Sequence, residues 1–317
     1  MKVLVTGGAG FLGVHLSAAL LAQGDEVVAV DNFATSSADA IERLAGNSRY
    51  TFIEADICVA PAVGDGFGAI AHLACPASPD DYLRLPLETL AIGSRGSEFV
   101  LKLATGNDCR VLLASTSEVY GDPLERPQTE EYWGNVNPVG PRSVYDESKR
   151  YAEALFTAYQ RVKRVNTGIA RIFNTYGPGL RPNDGRVVSN FIAQALRGEP
   201  LTVYGDGQQT RSFCYVTDLV DGLVRMLRSD VAGPVNLGNP EEVSILELAG
   251  TILSLTSSGS PLDFRPAPQD DPATRQPEIA KAAALLGWAP TVPLTEGLAQ
   301  TITWQRSVLT QSSLIQT

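Results

Sequence analysis

Histidine and cysteine are scarce in this sequence, and positive charge is in deficit. Two histidines occur, His15 and His72, and the four cysteines, Cys58, Cys75, Cys109 and Cys214, stand far apart. Their spacing matches neither a zinc site nor a disulfide framework, so no metal is expected. Lys and Arg number 25 against 35 Asp and Glu, which leaves a net charge of -10 and a pI of about 4.8. That balance argues against nucleic acid or an anionic membrane as a partner. An anionic ligand would have to be gripped by a few local arginines or helix N-termini. No apolar run approaches the ~20 residues that span a bilayer, and no signal peptide precedes the first apolar strand. The expectation is a soluble, cytoplasmic protein in a reducing compartment.

What is present is a chain of 317 residues, 44% of them hydrophobic. That is enough for about two domains with a sizeable core. Lys2-Val-Leu-Val-Thr6 is a short apolar run of the kind found in buried parallel strands. Gly7-Gly-Ala-Gly-Phe-Leu-Gly13 follows, then an amphipathic stretch to residue 23. Gly7, Gly10 and Gly13 allow a tight turn, close approach of a pyrophosphate and close helix–strand packing, and the helix N-terminus offers free N–H groups at Phe11 and Leu12. A second strand over residues 26–30 ends in Asp31-Asn32, about twenty residues beyond the glycines, where a carboxylate binds ribose hydroxyls. An acid there repels a 2′-phosphate, which favours NAD over NADP. Strands over residues 50–54 and 69–74 deliver Asp56, Ile57 and Leu73 to the same crevice. Within the second of these, His72 reads as a core histidine and Cys75 as a small buried residue. Residues 77–86 read as a loop and 87–105 as a helix, despite Gly93 and Gly96.

A strand over residues 110–114 leads into Ser115-Thr-Ser-Glu118, which brings a hydroxyl, Thr116, and a carboxylate, Glu118, to the crevice. Glu118 could serve as an acid, as a base or as the anchor of a water. Residues 123–141 form a long polar loop, a partial lid. Tyr145 and Lys149 then lie four apart at the start of a helix, so phenol and ammonium share one face. A neighbouring cation favours phenolate and so makes a base usable near neutrality. After a sixth strand at 167–171 the strand–helix alternation breaks up. The expected fold is α/β, a doubly wound parallel Rossmann sheet with a smaller C-terminal α/β substrate domain. Residues 1–173 form the dinucleotide-binding domain, with 213–238 returning to it. Residues 174–212 and 239–311 form the substrate domain, and 312–317 a frayed tail.

Taken together, Thr6-Gly-Gly-Ala-Gly-Phe-Leu-Gly13, Thr116 and Tyr145-Asp-Glu-Ser-Lys149 resemble the extended short-chain dehydrogenase/reductase family over the whole chain. The resemblance extends within that family to the UDP-glucuronate decarboxylases. It is carried by Leu113-Ala-Ser-Thr-Ser-Glu-Val-Tyr-Gly-Asp-Pro123, Tyr132-Trp-Gly-Asn-Val-Asn-Pro138, Arg171-Ile-Phe-Asn-Thr175, Asn183-Asp-Gly-Arg-Val-Val-Ser-Asn-Phe191, Pro200-Leu-Thr-Val-Tyr-Gly205, Asn236-Leu-Gly-Asn-Pro-Glu241, Asp270-Asp-Pro272 and Arg275. The resemblance implies NAD as cofactor, a UDP-sugar as substrate and a homodimer built on residues 90–103 and 145–162. It implies that Asn174, Arg211 and Arg275 hold the diphosphate, Arg forks suiting phosphate oxygens, and that Val188 and Tyr204 line the uridine pocket.

It further implies that Tyr145 takes the O4 proton, helped by Lys149 and Thr116, and that Glu118 and Arg275 arrange protonation at C5 after carbon dioxide leaves. Three stretches depart from the family pattern. Ala91-Ile-Gly93 replaces a common Lys-Thr-Asn and so removes a substrate contact and a helix-anchoring Asn. Asp80-Asp81 replaces Pro-Asn, and Gly179-Leu-Arg-Pro182 replaces Arg-Met-x-Met. The alternative activities are 4-epimerisation of UDP-glucuronate, dehydration of dTDP-glucose, for which Asp-Glu would be expected at Ser117-Glu118, and a non-catalytic NAD-binding sensor.

Overall fold

The sequence Lys-Val-Leu-Val-Thr alternates two sets of side chains on opposite faces of a strand, and both sets are buried. Val3 and Val5 pack into one apolar cluster and Leu4 into another, as a parallel strand covered by helices on both faces requires. A computed structural model describes residues 1–182, 184–267 and 274–315. The resemblance at Asn183 and at Asp270-Asp-Pro272 therefore lies outside the described residues, as do positions 316 and 317.

Strands β1 (Lys2–Thr6), β2 (Glu26–Asp31), β3 (Tyr50–Glu54), β4 (Ala69–His72), β5 (Arg110–Thr116) and β6 (Thr167–Ile172) form a parallel sheet with the strand Val235–Leu237. The order across the sheet is Val235–Leu237, β6, β5, β4, β1, β2, β3. The chain first steps outward from β1 to β3, then returns to β4 on the other side of β1. The crevice at the C-terminal ends of β1 and β4 is thus the topological switch point, where such sheets bind ligands. One face of the sheet carries the helices Phe11–Ala22 and Val216–Leu227, packed on each other. The other face carries the helices Ser97–Asn107 and Ser143–Lys163, with Val100, Leu101 and Phe156 fully buried. Burying a side chain of that size stabilises by about 1.5–3 kcal/mol.

Around residues 77–105 the structure departs from the sequence reading. Residues 79–84 are a helix, Pro79–Arg84, rather than a loop. Ser78 caps it by accepting from the Asp81 N–H at 3.2 Å, and Pro79 starts its first turn. Asp80 and Asp81 sit in that first turn, where the helix dipole favours negative charge. Asp81 also pairs with Arg84 and Arg181. Residues 86–107 are helical throughout, but a π-turn, Ile92–Gly96, separates Pro86–Ala91 from Ser97–Asn107. A Cβ on Gly93 would meet the Ser148 Oγ at 2.1 Å, and that hydroxyl donates to the Thr89 carbonyl at 2.8 Å. The Ser148 hydroxyl thus occupies the space that a side chain at 93 would need.

The second half of the chain supplies both lobes. Val235–Leu237 extends the sheet, Val235 opposite Ala170. Small strand pairs, Leu201–Tyr204 with Leu262–Arg265 and Thr210–Ser212 with Glu242–Ser244, stand apart from it with the helices Val187–Arg197 and Ile245–Thr256. The last helix, Leu294–Ile315, runs past the expected start of the tail.

Candidate active site

The glycine turn joins β1 to the helix Phe11–Ala22 at the switch point. A Cβ on Gly13 would lie 2.0 Å from the Gly7 carbonyl oxygen, so only glycine lets this helix start so close to the turn. A Cβ on Gly10 would meet nothing nearer than that same carbonyl at 3.2 Å, so its other side is open. No side chain caps the helix. The first-turn N–H groups of Phe11, Leu12 and Gly13 are therefore available to a phosphate.

Asp31 leaves the end of β2 and accepts from the N–H groups of Ala9, at 3.1 Å, and Phe33, at 2.9 Å. Its carboxylate is thereby held over the turn. Asn32 and Asp56 are exposed and each stabilises its own turn, accepting from Ala34 N–H and Cys58 N–H. Ile57 is buried, and Leu73 donates its N–H to the Thr6 carbonyl. All the predicted cofactor residues of β1 to β4 thus converge on one crevice. An open, uncapped helix start with a carboxylate beside it fits the pyrophosphate and ribose of a dinucleotide.

The helix Ser143–Lys163 crosses the same end of the sheet. Tyr145 is buried, its ring stacked on Tyr82 with centroids 5.1 Å apart and planes at 6°. Lys149 donates to the Ala114 carbonyl at 2.8 Å and stands 5.8 Å from the centre of the Tyr145 ring. The Thr116 hydroxyl, near enough to the Tyr145 phenol to favour its charged form, accepts the Glu118 N–H at 3.2 Å. The expected phenolate is not favoured by the chain's own groups. Burial pushes the Tyr145 phenol up and Cys75 adds to it, and the nearby Thr116 hydroxyl and the field of Arg186 do not offset this. The physical reason is that Lys149 is directed to a backbone carbonyl, and the low-dielectric surroundings penalise charge on the phenol.

Glu118 lies beside this group. Its Oε2 accepts from Arg275 Nη2 at 2.6 Å and from Arg142 Nη2 at 2.7 Å, both charge-assisted bonds. Burial works against ionisation here, but Arg275 and Arg142 outweigh it and hold the carboxyl down to about 2. Glu118 is therefore a carboxylate at neutral pH, and of the roles open to it that of acid is removed. Arg275 also donates to the Ser117 hydroxyl at 3.1 Å, which directs it to the Thr116 and Glu118 end of the crevice.

Elsewhere the expected residues are spread over positions 174–211. Asn174 stands just beyond β6 and its carbonyl accepts the Cys214 N–H. Val188 is buried in the first turn of Val187–Arg197. Tyr204 is exposed at the end of Leu201–Tyr204, and Arg211 is buried and donates to its neighbour's carbonyl, Thr210 O, at 2.9 Å. His72 is a bonded core residue, its Nδ1 2.8 Å from the Thr6 hydroxyl and its Nε2 3.3 Å from that of Ser97. Burial, then the nearby Lys149, depress it to about 3. Cys75 is half-buried in the same region, and burial pushes its thiol up.

Sequence reasoning missed Arg142 and Tyr82. The spacing of Arg142, three residues before Tyr145, was a usable signal. The stacking of Tyr82 on Tyr145 had none, because 63 residues separate them.

Residues 3–238 match the model of the NAD dependent epimerase/dehydratase family. The chain belongs to that family. It is 52% identical over 308 residues to UDP-glucuronic acid decarboxylase 1 of Xenopus tropicalis, covering 97% of this chain and 73% of the relative. It is also 52% identical over 298 residues to UDP-glucuronic acid decarboxylase 4 of Arabidopsis thaliana, covering 94% and 67%. Among solved structures it resembles the UDP-glucuronic acid 4-epimerase of Bacillus cereus in complex with UDP-glucuronic acid and NAD, with a TM-score of 0.88 and 29% identity over 97% of this chain and 100% of that one.

Proposed function

We propose that this protein removes carbon dioxide from UDP-glucuronate to give UDP-xylose, with NAD regenerated in each turnover. The observation that carries the reading is the Glu118 carboxylate clamped by Arg275 and Arg142 beside the Thr116–Tyr145–Lys149 group, in a chain half-identical to UDP-glucuronic acid decarboxylases. NAD, which the glycine turn and Asp31 would hold, would supply a reversible hydride acceptor for the sugar C4 and, while oxidised, a positive charge in the crevice. Tyr145 takes the O4 proton and gives it back, with the Thr116 hydroxyl orienting O4. Lys149, bonded to the Ala114 carbonyl, would bind the cofactor's ribose. The resulting 4-ketone lies β to the C5 carboxylate and accepts the electron pair as carbon dioxide departs. Glu118, fixed as an anion, acts at C5 as a base or by ordering a water. Arg275 serves that end through Glu118 and Ser117. The diphosphate falls to Asn174 and Arg211, and the uracil to Val188 and Tyr204.

The wider reading has its own supports. Val235–Leu237 pairing with β6 supports residues 213–238 as part of the cofactor domain, with 174–212 and 239–311 holding the sugar nucleotide. Leu90, Tyr151 and Val162 are exposed on the helices proposed for a homodimer. Four free thiols suit a cytoplasmic site, and no helix of the described residues is long and apolar enough to cross a membrane.

Purified protein incubated with UDP-glucuronate and NAD should release carbon dioxide and yield a product lighter by that mass. Unchanged mass with an inverted C4 would overturn the reading in favour of 4-epimerisation.

A further inference from the structure

Arg171 belongs to a stretch that carries the family resemblance, Arg171-Ile-Phe-Asn-Thr175, yet the reaction gives it no task. It lies in a row of polar side chains that crosses the sheet. Ser115 on β5 stands opposite Arg171 on β6, and Arg171 stands opposite Asn236 on the strand Val235–Leu237. The residues just before them, Ala114, Ala170 and Val235, are apolar and buried. The row therefore caps the apolar core at the C-terminal ends of these strands. An ion pair in such a layer is weak evidence of stabilisation, because well-packed apolar residues stabilise as well.

Glu153 covers the row from the helix Ser143–Lys163. Its carboxylate accepts from Arg171 Nε at 3.0 Å and Nη2 at 2.8 Å, and from the Ser115 hydroxyl at 2.6 Å. The Arg171 and Glu153 side chains are only 12% and 13% exposed, and a paired fork fixes direction as well as distance. Glu153 lies four residues beyond Lys149 and eight beyond Tyr145, so the three share one face of the helix. The last three residues of β5 meet that face. The Ala114 carbonyl accepts from Lys149, Ser115 donates to Glu153, and the Thr116 hydroxyl stands by Tyr145. Lys149 and Tyr145 are used by the reaction, which leaves Glu153 to hold the helix in register.

The remaining nitrogen of Arg171, Nη1, donates to the Tyr120 hydroxyl at 2.9 Å and to the Glu130 carbonyl at 3.1 Å. The Tyr120 hydroxyl donates in turn to Asn236 Oδ1 at 2.7 Å. Tyr120 closes the short turn Ser117–Tyr120, which Thr116 caps and which carries Glu118. One guanidinium thus ties the helix of Tyr145 and Lys149 to the turn of Glu118. A buried network with its bonds made rigidifies what it joins.

We infer that Glu153 and Arg171 are positioning residues, which together set the distance between the Tyr145–Lys149 face and the Thr116–Glu118 turn. Their bonds are to the chain itself, so they act on the sugar only through these groups. An error of about 1 Å in such a geometry costs about 10²-fold in rate. The inference rests on the decarboxylase reading only for the hydride step at C4, which 4-epimerisation shares.

The test compares wild type with Glu153→Gln, Arg171→Lys and the double variant. UDP-glucuronate is the substrate, and kcat is counted per bound NAD, so that unfolded protein does not enter. Glu153→Gln keeps the shape of the side chain and removes its charge. Arg171→Lys keeps the charge and removes the fork. Each single variant should lose about 10- to 10²-fold in kcat and keep its KM within about twofold. The double variant should lose no more than the less active single one, because the two residues act as one unit. A pair that only stabilises the fold would lower the melting temperature and leave kcat per bound NAD at the wild-type value, and that result overturns the inference. So does a raised KM at unchanged kcat, or losses that multiply in the double variant. If Glu153→Gln holds no NAD, Arg171→Lys decides alone by the same split. The mass of the wild-type product tests the decarboxylase reading separately. Unchanged mass with an inverted C4 would sink that reading and leave the kcat comparison valid, since both reactions begin with hydride transfer. A wild type that turns over no UDP-glucuronate overturns both.

Discussion

Replacing Glu118 by Gln keeps the shape of the side chain and removes its charge. Arg275, 6% exposed at its side chain, and Arg142, 15% exposed, would then face a neutral amide in place of a carboxylate. Glu118 titrates at about 2 against an ordinary value of 4.5. At about 1.4 kcal/mol for each tenfold change in proton affinity, this is about 3 kcal/mol of preference for the charged form in the folded chain. Breaking a buried ion pair from one side costs about 3–5 kcal/mol, so the two routes agree. The sign follows from the lowered value. The stabilisation is complete above 4.5 and is lost as pH falls toward about 2, where wild-type Glu118 takes up its proton.

Urea denaturation at pH 7 should therefore find Glu118→Gln about 3 kcal/mol less stable, with the deficit narrowing at pH 3.5. Under turnover conditions the variant should reduce NAD and stall at a 4-keto species. A variant equal to wild type in stability at pH 7, or a deficit that does not change with pH, would refute the ion-pair argument. Normal turnover would remove Glu118 from the mechanism.

Three further outcomes test other parts of the site. Tyr145→Phe should abolish turnover while calorimetry still finds nucleotide-sugar binding, and retained activity would exclude Tyr145 as the base. His72 is held neutral with a value of about 3, and the unfolded chain binds its proton near 6.5. Stability should therefore fall as pH drops from 6.5 toward 3, and His72→Gln should flatten that slope in a pH series of thermal melts. Gly93→Ala would place a Cβ 2.1 Å from the Ser148 Oγ and 2.7 Å from the Ser148 carbonyl. Overpacking of this kind costs about 1–3 kcal/mol and should shift the catalytic helix. The expected result is a lower kcat in steady-state assays and a lower melting temperature.

Local pattern settled much of this protein. The apolar runs of β1 to β6, the glycine turn and the four-residue spacing of Tyr145 and Lys149 are short-range signals. Each states its physics within one strand or one helical turn. Asp31 at the end of β2 was legible for the same reason, since a single βαβ unit carries it to the edge of the glycine turn. The helix at Pro79–Arg84 was misread because its Pro and Asp residues are loop formers in general. At its first turn they are favourable, with Ser78 as cap.

What tertiary structure alone decided is the electrostatics. Whether Tyr145 is an easy base and whether Glu118 holds a proton both depend on burial and on partners distant in the chain. Arg275 reaches Glu118 across 157 residues and Tyr82 stacks on Tyr145 across 63. Such contacts leave no periodic trace, because they join helices and turns that meet only when the sheet forms. A sequence names the ionisable groups, and only the folded chain determines which neighbours and how little water each one has.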